Sequence, residues 1–569
     1  GQGLESSGAG FARAAARVGL HVLATPDYRS RVRGGNNYSQ IRLGARPFYS
    51  GSHAVDLVVA LTADSIPLHA PNIAPGGLLL VPEEMKFNES PVAADVTILK
   101  LPLQTIAREH GDRLMTNTAA IAAMAAIIGF PLSTLQEVIR GNFAKKGERA
   151  VEGNRGVAAA AYELGAAVPD AGLRLKLPDE THPRLLMNGN QAFALGALAG
   201  GCRFISAYPM TPATSIFEWL CAVPPEYGVV TKHTEDEIAA VCMAIGASYT
   251  GARAMTTTSG GGFCLMVEAL GLAGITELPL VVVDAQRGGP STGLPTRTEQ
   301  SDLLFVINAG HGEFPRIVLA PRTTEECFES GWRALNLADR YQCPVIVLTD
   351  ALMATTLRTV EPDAIDFGSV AIDRGQTIEA DELAATGGYR RYEFSDDGVS
   401  PRAVPGTPQA VYSIASDEHD EAGHITEEAE NRVRMMQKRM RKLETAKREL
   451  RTPEVYGPDD AEFTLVAWGS TYGACRETVD QLNASGGTAN LISFSDLWPL
   501  PADAVAETLN RSRKLLVVEG NYTSQLAQLL RLTTGVVPDA TINRYDGQPF
   551  TPEYILRAIE EETLVHSGR

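Results

Sequence analysis

Residues 187–214 read MNGNQAFALGALAGGCRFISAYPMTPAT. A stretch of small residues leads into a short apolar strand, RFISAYP, which stops at a turn carrying two prolines. Four more strands of the same kind follow: RAMTTTS, LPLVVVDA, RIVLA and CPVIVLTD. Helix-compatible segments separate them, and alternating strands and helices imply a parallel, helix-covered sheet. In such sheets ligands meet the carboxyl ends of the strands, where YPMTPAT, TTTSGGG and DAQRGGPSTG would fall.

Outward from this stretch the α/β pattern repeats. Toward the amino end, HVLATPDY, QIRLG, VDLVVAL, GGLLLVP and DVTILKLP are strand candidates. GQGLESSGAGFARAAARVG reads as a Gly-rich turn entering an Ala-rich helix, and further helices are expected over about 117–130 and 157–164. PDAGLRLKLPDETHPR, ending near residue 185, reads as a linker. Toward the carboxyl end, 361–423 loses periodicity. It is long for a structureless loop, so it is either functional or wraps a neighbour. A helix then starts with Thr426 as the expected N-cap. Val433, Met436, Met440, Leu443 and Leu450 form its expected packing face, and its Lys and Arg residues the solvated face. FTLVAWGS, ANLISFSDLWPL and RKLLVVEGN supply a third α/β unit. The expected domains are 1–175, 186–360, 361–455 (linker and helix) and 456–569.

The chain has 569 residues, too many for one core. Its formal net charge of -18 argues against nucleic acid as a partner, since phosphate binding needs a basic face. No run of eighteen apolar residues suggests a membrane span, and GQGLESSGAGF lacks the features of a secretory signal. Seven cysteines contain no C-x-x-C pair and mostly sit in apolar stretches. They read as buried thiols of a reducing cytoplasm, and a four-cysteine cluster site is not expected.

Several residues could carry chemistry. Gly1, Gly3, Gly8 and Gly10 precede a helix and could present amides to a phosphate, or simply form a tight turn. In Tyr208-Pro209-Met210-Thr211-Pro212 the two prolines hold the Thr211 hydroxyl in place. Glu237 opens a helix rich in small residues, so acids there suit the helix N-terminus, and a flat ring would also fit beside it. Gly260 and Gly261 expose backbone after a strand. Arg287 follows another strand and could grip a small carboxylate with two hydrogen bonds, with Thr296 adding a hydroxyl. No Gly-Asp-Gly followed by Asn is found, so a thiamine diphosphate site would have to be shared with another chain.

YPMTP, EDEIAA, TTTSGGG, DAQRGGPSTGLPT and HGEFPRIVLAP stand in the order found in alpha subunits of 2-oxoacid:ferredoxin oxidoreductases, and the chain resembles that family over nearly its whole length. GQG, PDYRSRVRGGNNYSQIRL and PFYSG resemble the family's gamma domain, fused in front. YRRYEFSDDGVSPRAVPG and SDEHDEAGHITEE resemble its connecting segment, and VVEGNYTSQLAQLLR its transketolase C-terminal-like domain.

The resemblance implies a multi-domain α/β fold that includes a pyrimidine-type thiamine diphosphate domain. It implies an enzyme that decarboxylates a 2-oxoacid, reduces ferredoxin and makes an acyl-CoA, or runs in the reverse, carbon-fixing direction. A beta subunit would supply the diphosphate site, Mg2+ and a [4Fe–4S] cluster, in a dimer of heterodimers. Glu237 would contact the aminopyrimidine and promote its reactive tautomer, with Tyr208, Pro209, Gly260 and Gly261 around the cofactor. Thr211 would hydrogen-bond the substrate, Arg287 would hold its carboxylate, and Thr296 would lie nearby. Gly1, Gly3, Gly8 and Arg33 would help bind CoA, although Leu4, Glu5 and Ser6 replace glycines common there. The fused layout favours 2-oxoglutarate, whose second carboxylate could meet Arg33, Lys145, Lys146 or His419. Pyruvate and branched-chain 2-oxoacids remain open. The sequence is also compatible with a different thiamine enzyme, of transketolase or indolepyruvate type, and with a non-catalytic scaffold subunit.

Overall fold

A computed structural model describes residues 4–29, 35–179, 181–386 and 388–567. The chain forms two compact units. One holds residues up to Met187 with Thr356–Pro362 and Thr551–Glu553, and the other holds the remainder.

The first unit contains the five expected strands, divided between two sheets. Tyr38–Gly44, His21–Asp27, Leu357–Val360 and Leu185–Met187 lie in that order and pair antiparallel. Val55–Val59, Ile73–Pro82 and Thr97–Leu101 form a parallel sheet of three. The expected Ala-rich helices are Thr116–Ile127 and Glu148–Ala166. Small residues let them approach closely: a Cβ on Gly165 would fall 2.3 Å from the Ala123 carbonyl oxygen. Gly8 and Gly10 do not lie in the expected loop. Helix Leu4–Arg17 already contains Gly8 and Gly10. A Cβ on Gly8 would lie 3.1 Å from Ser39 Oγ, and one on Gly10 3.0 Å from Asn142 Nδ2. These glycines therefore serve close packing, and their amides are committed to helix hydrogen bonds. Gly1, Gly3 and Arg33 lie outside the described residues.

The second unit is built on a seven-stranded sheet. Its order is Asp496–Trp498, Ile317–Leu319, Pro344–Asp350, Leu280–Gln286, Ala254–Thr258, Phe204–Ala207, Val230–His233. All neighbours are parallel except the pair made by Asp496–Trp498. The central strands are buried on both faces, as helix-covered parallel strands must be. A five-stranded sheet follows, in the order Glu454–Tyr456, Ala489–Phe494, Phe463–Trp468, Leu515–Glu519, Ala540–Asn543. One apolar core runs through both, including Phe263, Ile346, Trp468, Phe494 and Leu530.

From Asp363 on, the segment expected over 361–423 packs within this same unit. Arg402 and Arg374 join Arg253 on the buried Asp339 at 3.1, 2.9 and 2.9 Å, and Arg391 Nη2 donates to the Glu277 carbonyl at 2.6 Å. Helix Ala429–Ala446 departs from its expectation in two ways. Glu428, not Thr426, is the N-cap, and Thr426 Oγ1 accepts from the Glu428 N–H at 3.3 Å. Its buried face also carries Lys438, Arg439 and Lys442, while Val433 is 54% exposed. Lys438 and Lys442 both pair with the buried Glu277, at 2.7 and 2.6 Å, and Arg439 pairs with Glu418 at 2.7 Å. Glu277, far off in the sequence, and Glu418, shortly before the helix, turn this basic face inward. Of the seven cysteines, Cys202, Cys327, Cys343 and Cys475 are buried, and Cys221, Cys242 and Cys264 are exposed.

Candidate active site

Four successive strand ends of the large sheet carry the candidate residues. Phe204–Ala207 delivers Tyr208 to Pro212. The edge strand Val230–His233 precedes Glu237, Ala254–Thr258 leads into Ser259–Gly262, and Leu280–Gln286 delivers Arg287. The parallel arrangement puts all four on one rim.

Glu237 is the first residue of helix Glu237–Tyr249. Asp236 caps that helix, its Oδ1 accepting from the Ala239 N–H at 2.7 Å, a contact worth about 1 kcal/mol. Ser206 Oγ donates to the Ala240 carbonyl at 2.6 Å and ties the helix to the sheet. Glu237 is buried, and its Oε1 has no hydrogen-bond partner among the described residues. A buried, unpaired carboxylate oxygen costs several kcal/mol, so it calls for a polar partner. Behind it stands Gly262. A Cβ there would fall 2.2 Å from Thr258 Oγ1 and 2.6 Å from Glu237 Oε1, so only glycine fits. These neighbours suit the edge of a flat nitrogen heterocycle, and the residues present fit the aminopyrimidine of thiamine diphosphate.

Arg287 is half-buried, and its Nη1 donates to the Thr211 carbonyl at 2.7 Å. Burial draws its pKa below the usual value. The Tyr208–Pro212 loop is fixed from a second side: Asn190 Nδ2 donates to the Pro212 carbonyl at 2.9 Å and to Ser215 Oγ at 2.8 Å. Asn190 is not legible in the sequence, because nothing local marks a residue 22 positions away as the brace of that loop. Thr296 is half-buried on the loop that follows Arg287, and Tyr208 is 36% exposed at the rim. Gly260 packs on Asp302, and a Cβ on Gly261 would have Ser291 O at 3.8 Å as its nearest neighbour. The structure thus joins Thr211 with Arg287, and Glu237 with Gly262.

Of the suggested second-carboxylate anchors, Lys145 and Lys146 are exposed in the short turn Ala144–Lys146. His419 is fully buried, its ring 4.0 Å from that of Tyr392 and its Nδ1 3.0 Å from the Asp417 carbonyl. Burial lowers its pKa. That corrects its candidacy: a neutral ring in an aromatic pocket is not a surface anchor for an anion. Among the described residues no group of three or more His, Cys, Asp or Glu could hold a metal, and no helix is long and apolar enough to cross a membrane.

This rim belongs to a thiamine diphosphate-binding α/β domain of oxidoreductase type. Residues 195–438 match the family model described as pyruvate flavodoxin/ferredoxin oxidoreductase, thiamine diphosphate-binding. Residues 1–164 match pyruvate ferredoxin/flavodoxin oxidoreductase, and 461–555 match pyruvate:ferredoxin oxidoreductase core domain II. The chain is 32% identical to the 2-oxoacid:ferredoxin oxidoreductase subunit alpha of Sulfolobus sp, over 99% of this chain and 95% of that one. It is 31% identical to the 2-oxoglutarate oxidoreductase subunit KorA of Mycobacterium tuberculosis, over 98% of this chain and 89% of that one. Its structure is similar to that of 2-oxoglutarate:ferredoxin oxidoreductase from Magnetococcus marinus, solved with 2-oxoglutarate, coenzyme A and succinyl-CoA bound. The TM-score is 0.92 at 34% identity, with 99% of this chain and 97% of that chain covered. The chain belongs to the 2-oxoacid:ferredoxin oxidoreductase alpha-subunit family.

Proposed function

We propose that this chain is the gamma-fused alpha half of an enzyme interconverting 2-oxoglutarate, CoA and oxidised ferredoxin with succinyl-CoA, CO2 and reduced ferredoxin. The observation that carries the reading is Glu237, buried at the sheet rim with an unpartnered oxygen held against Gly262. When bound, thiamine diphosphate supplies a carbanion centre and an electron sink for loss of CO2. Glu237 holds a proton at the aminopyrimidine and orients that ring. Arg287, anchored on the Thr211 carbonyl, keeps donors for a substrate carboxylate. Thr211 and Thr296 place hydroxyls near the reacting carbon.

Two features support a shared site. No Gly-Asp-Gly segment occurs in the sequence. The helices beside the rim also leave Ile238, Met243 and Leu265 exposed at 53%, 42% and 52%, an apolar face suited to a beta partner. That partner carries the diphosphate site, Mg2+ and [4Fe–4S] cluster in this reading, within a cytoplasmic dimer of heterodimers. The functional division that goes with it is a gamma domain over 1–175, a pyrimidine domain over 186–360, a linker to 455 and a transketolase C-terminal-like domain beyond.

Co-expression with the candidate beta subunit tests this. CoA-dependent reduction of a viologen dye is expected with 2-oxoglutarate in preference to pyruvate and 2-oxoisovalerate, and is expected to collapse in Glu237→Gln. Equal turnover of all three acids would remove the specificity. Full turnover by Glu237→Gln would remove the mechanism.

A further inference from the structure

The loop over 287–300 starts at Arg287, carries Thr296 and ends at Gln300, and its tip over 289–294 is exposed. Its first residue is tied to the 208–212 loop through the Thr211 carbonyl. Its last residue is held by a different part of the unit. Gln300 is 2% exposed, and each of its polar atoms meets the five-stranded sheet or the turn that ends one of its strands. Its N–H donates to the Gly520 carbonyl at 2.7 Å, and its Oε1 accepts from the Gly520 N–H at 2.9 Å. Its Nε2 donates to the Trp468 carbonyl at 2.8 Å, and its carbonyl accepts from Asn521 Nδ2 at 3.0 Å. Glycines make room for it: a Cβ on Gly469 would fall 3.1 Å from Gln300 Nε2, and one on Gly520 3.2 Å from Gln300 Oε1. Just beyond, Gln525 Nε2 donates to the Ser301 carbonyl at 2.6 Å, and Gln525 Oε1 accepts from the Leu304 N–H at 2.9 Å.

The place where Gln300 lies is informative. Strand Phe463–Trp468 pairs with Ala489–Phe494 on one side and with Leu515–Glu519 on the other. The chain builds the first side and then crosses to the second. The carboxyl ends of Phe463–Trp468 and Leu515–Glu519 therefore border the switch point, the crevice at which such sheets take ligands. Trp468 and Gly520 stand at those two ends, and Gln300 bonds to both. The buried Glu519 shapes the same rim. It accepts from the Leu526 N–H at 2.8 Å, the Ala527 N–H at 3.1 Å and Asn521 Nδ2 at 2.9 Å, and that Asn521 amide also reaches Gln300.

We infer that Gln300 is a positioning residue: it occupies the ligand crevice of the five-stranded sheet in place of a ligand, and so fixes the carboxyl end of the 287–300 loop and the position of Thr296. This rests on the reading of Arg287 and Thr296 as groups that meet the substrate. The loop has few other ties. The Leu294 N–H donates to the Gly288 carbonyl at 2.7 Å, the Arg297 N–H to the Leu294 carbonyl at 3.0 Å and the Gly289 N–H to Glu299 Oε2 at 3.2 Å. All three lie within the loop and leave it free to move as a body. Gln300 supplies the outside reference, and a shift of about 1 Å in a substrate-holding group can cost two orders of magnitude in rate. Buried amide bonds suit the task, because a donor or acceptor left unmet in a dry crevice is penalised and one docked position is favoured.

Amide hydrogen exchange of the purified full chain tests the docking without turnover. In Gln300→Ala the amides of Gly289, Leu294 and Arg297 are expected to exchange about tenfold faster, while those of strands Ala254–Thr258 and Pro344–Asp350 stay as in the wild type. In the complex with the partner subunit, KM for 2-oxoglutarate is expected to rise about tenfold with kcat within about twofold and KM for CoA unchanged. Gly520→Ala crowds the same side chain from the other side of the crevice and should give the same pattern at about threefold in each readout. It decides the question if Gln300→Ala does not fold. Unchanged exchange in the loop would overturn the proposal. Faster exchange across Phe463–Trp468 and Leu515–Glu519 with KM unchanged would mean that Gln300 only stabilises the sheet, and would overturn it too. A wild-type complex without turnover on any 2-oxoacid would strike at the proposed reaction, while hydrogen exchange would still decide the docking.

Discussion

Helix Ala429–Ala446 and the helix pair Glu237–Tyr249 and Gly260–Ile275 treat polarity in opposite ways. The first buries cations: Lys438 is 2% exposed and Lys442 is fully buried, both on Glu277. The pair does the reverse, leaving Ile238, Met243 and Leu265 outside. Each choice runs against hydrophobicity, and each points to what the helix packs on. A lysine goes inside only where a carboxylate already waits, because an unpaired buried charge is very costly. Exposed large apolar side chains on neighbouring helices fit the partner contact proposed above. The first helix is thus completed within the chain, and the other two carry the face proposed above for the beta partner.

The largest effect expected from breaking this contrast comes from Glu277→Ala. It strands two buried lysines and should cost about 3–5 kcal/mol in urea unfolding of the chain. Glu277→Gln combined with Lys438→Met and Lys442→Met should recover most of that loss, since apolar replacements of a buried ion cluster are near neutral. A cost below about 1 kcal/mol for Glu277→Ala would show that the cations are not held as described.

Gly262→Ala comes next. Its methyl group must displace Thr258 or Glu237, so a loss of about 1–3 kcal/mol in thermal unfolding is expected, with weaker thiamine diphosphate binding in the complex. Gly261→Ala has open space and should change stability by less than about 0.5 kcal/mol. Equal effects at the two glycines would remove the case for a fitted turn.

The smallest effect on the chain itself is expected from Ile238→Glu with Met243→Glu. Both sites are exposed, so stability should move by no more than about 0.5 kcal/mol. Assembly with the partner, followed by sedimentation, should nevertheless fail. An intact complex would place the partner elsewhere.

Much of this is legible without coordinates. The strands of the large sheet announce themselves as apolar runs ending in Gly or Pro turns, because a strand covered on both faces has no polar side to show. Glu237, Thr211 and Arg287 stand out because each follows a strand or the turn that ends one. The short edge strands Val230–His233, Glu454–Tyr456 and Ala540–Asn543 do not stand out, since little of their surface is buried and their composition is mixed. The inward lysines escape sequence reading for a related reason. Helical periodicity reports which residues share a face, and charge by itself suggests water, not a buried carboxylate from elsewhere in the chain.

The sequence by itself determined the α/β class, the order of the strands along the chain and the small set of side chains at their ends, because these follow from local periodicity and turn chemistry. Only the tertiary structure decided that Gly262 backs Glu237, that Asn190 braces the Tyr208–Pro212 loop, that Glu277 draws in two lysines and that Asp302 packs on Gly260. Each of these joins residues far apart in the chain, and their free energy comes from excluding water around groups that have no reason to meet until the sheet has formed.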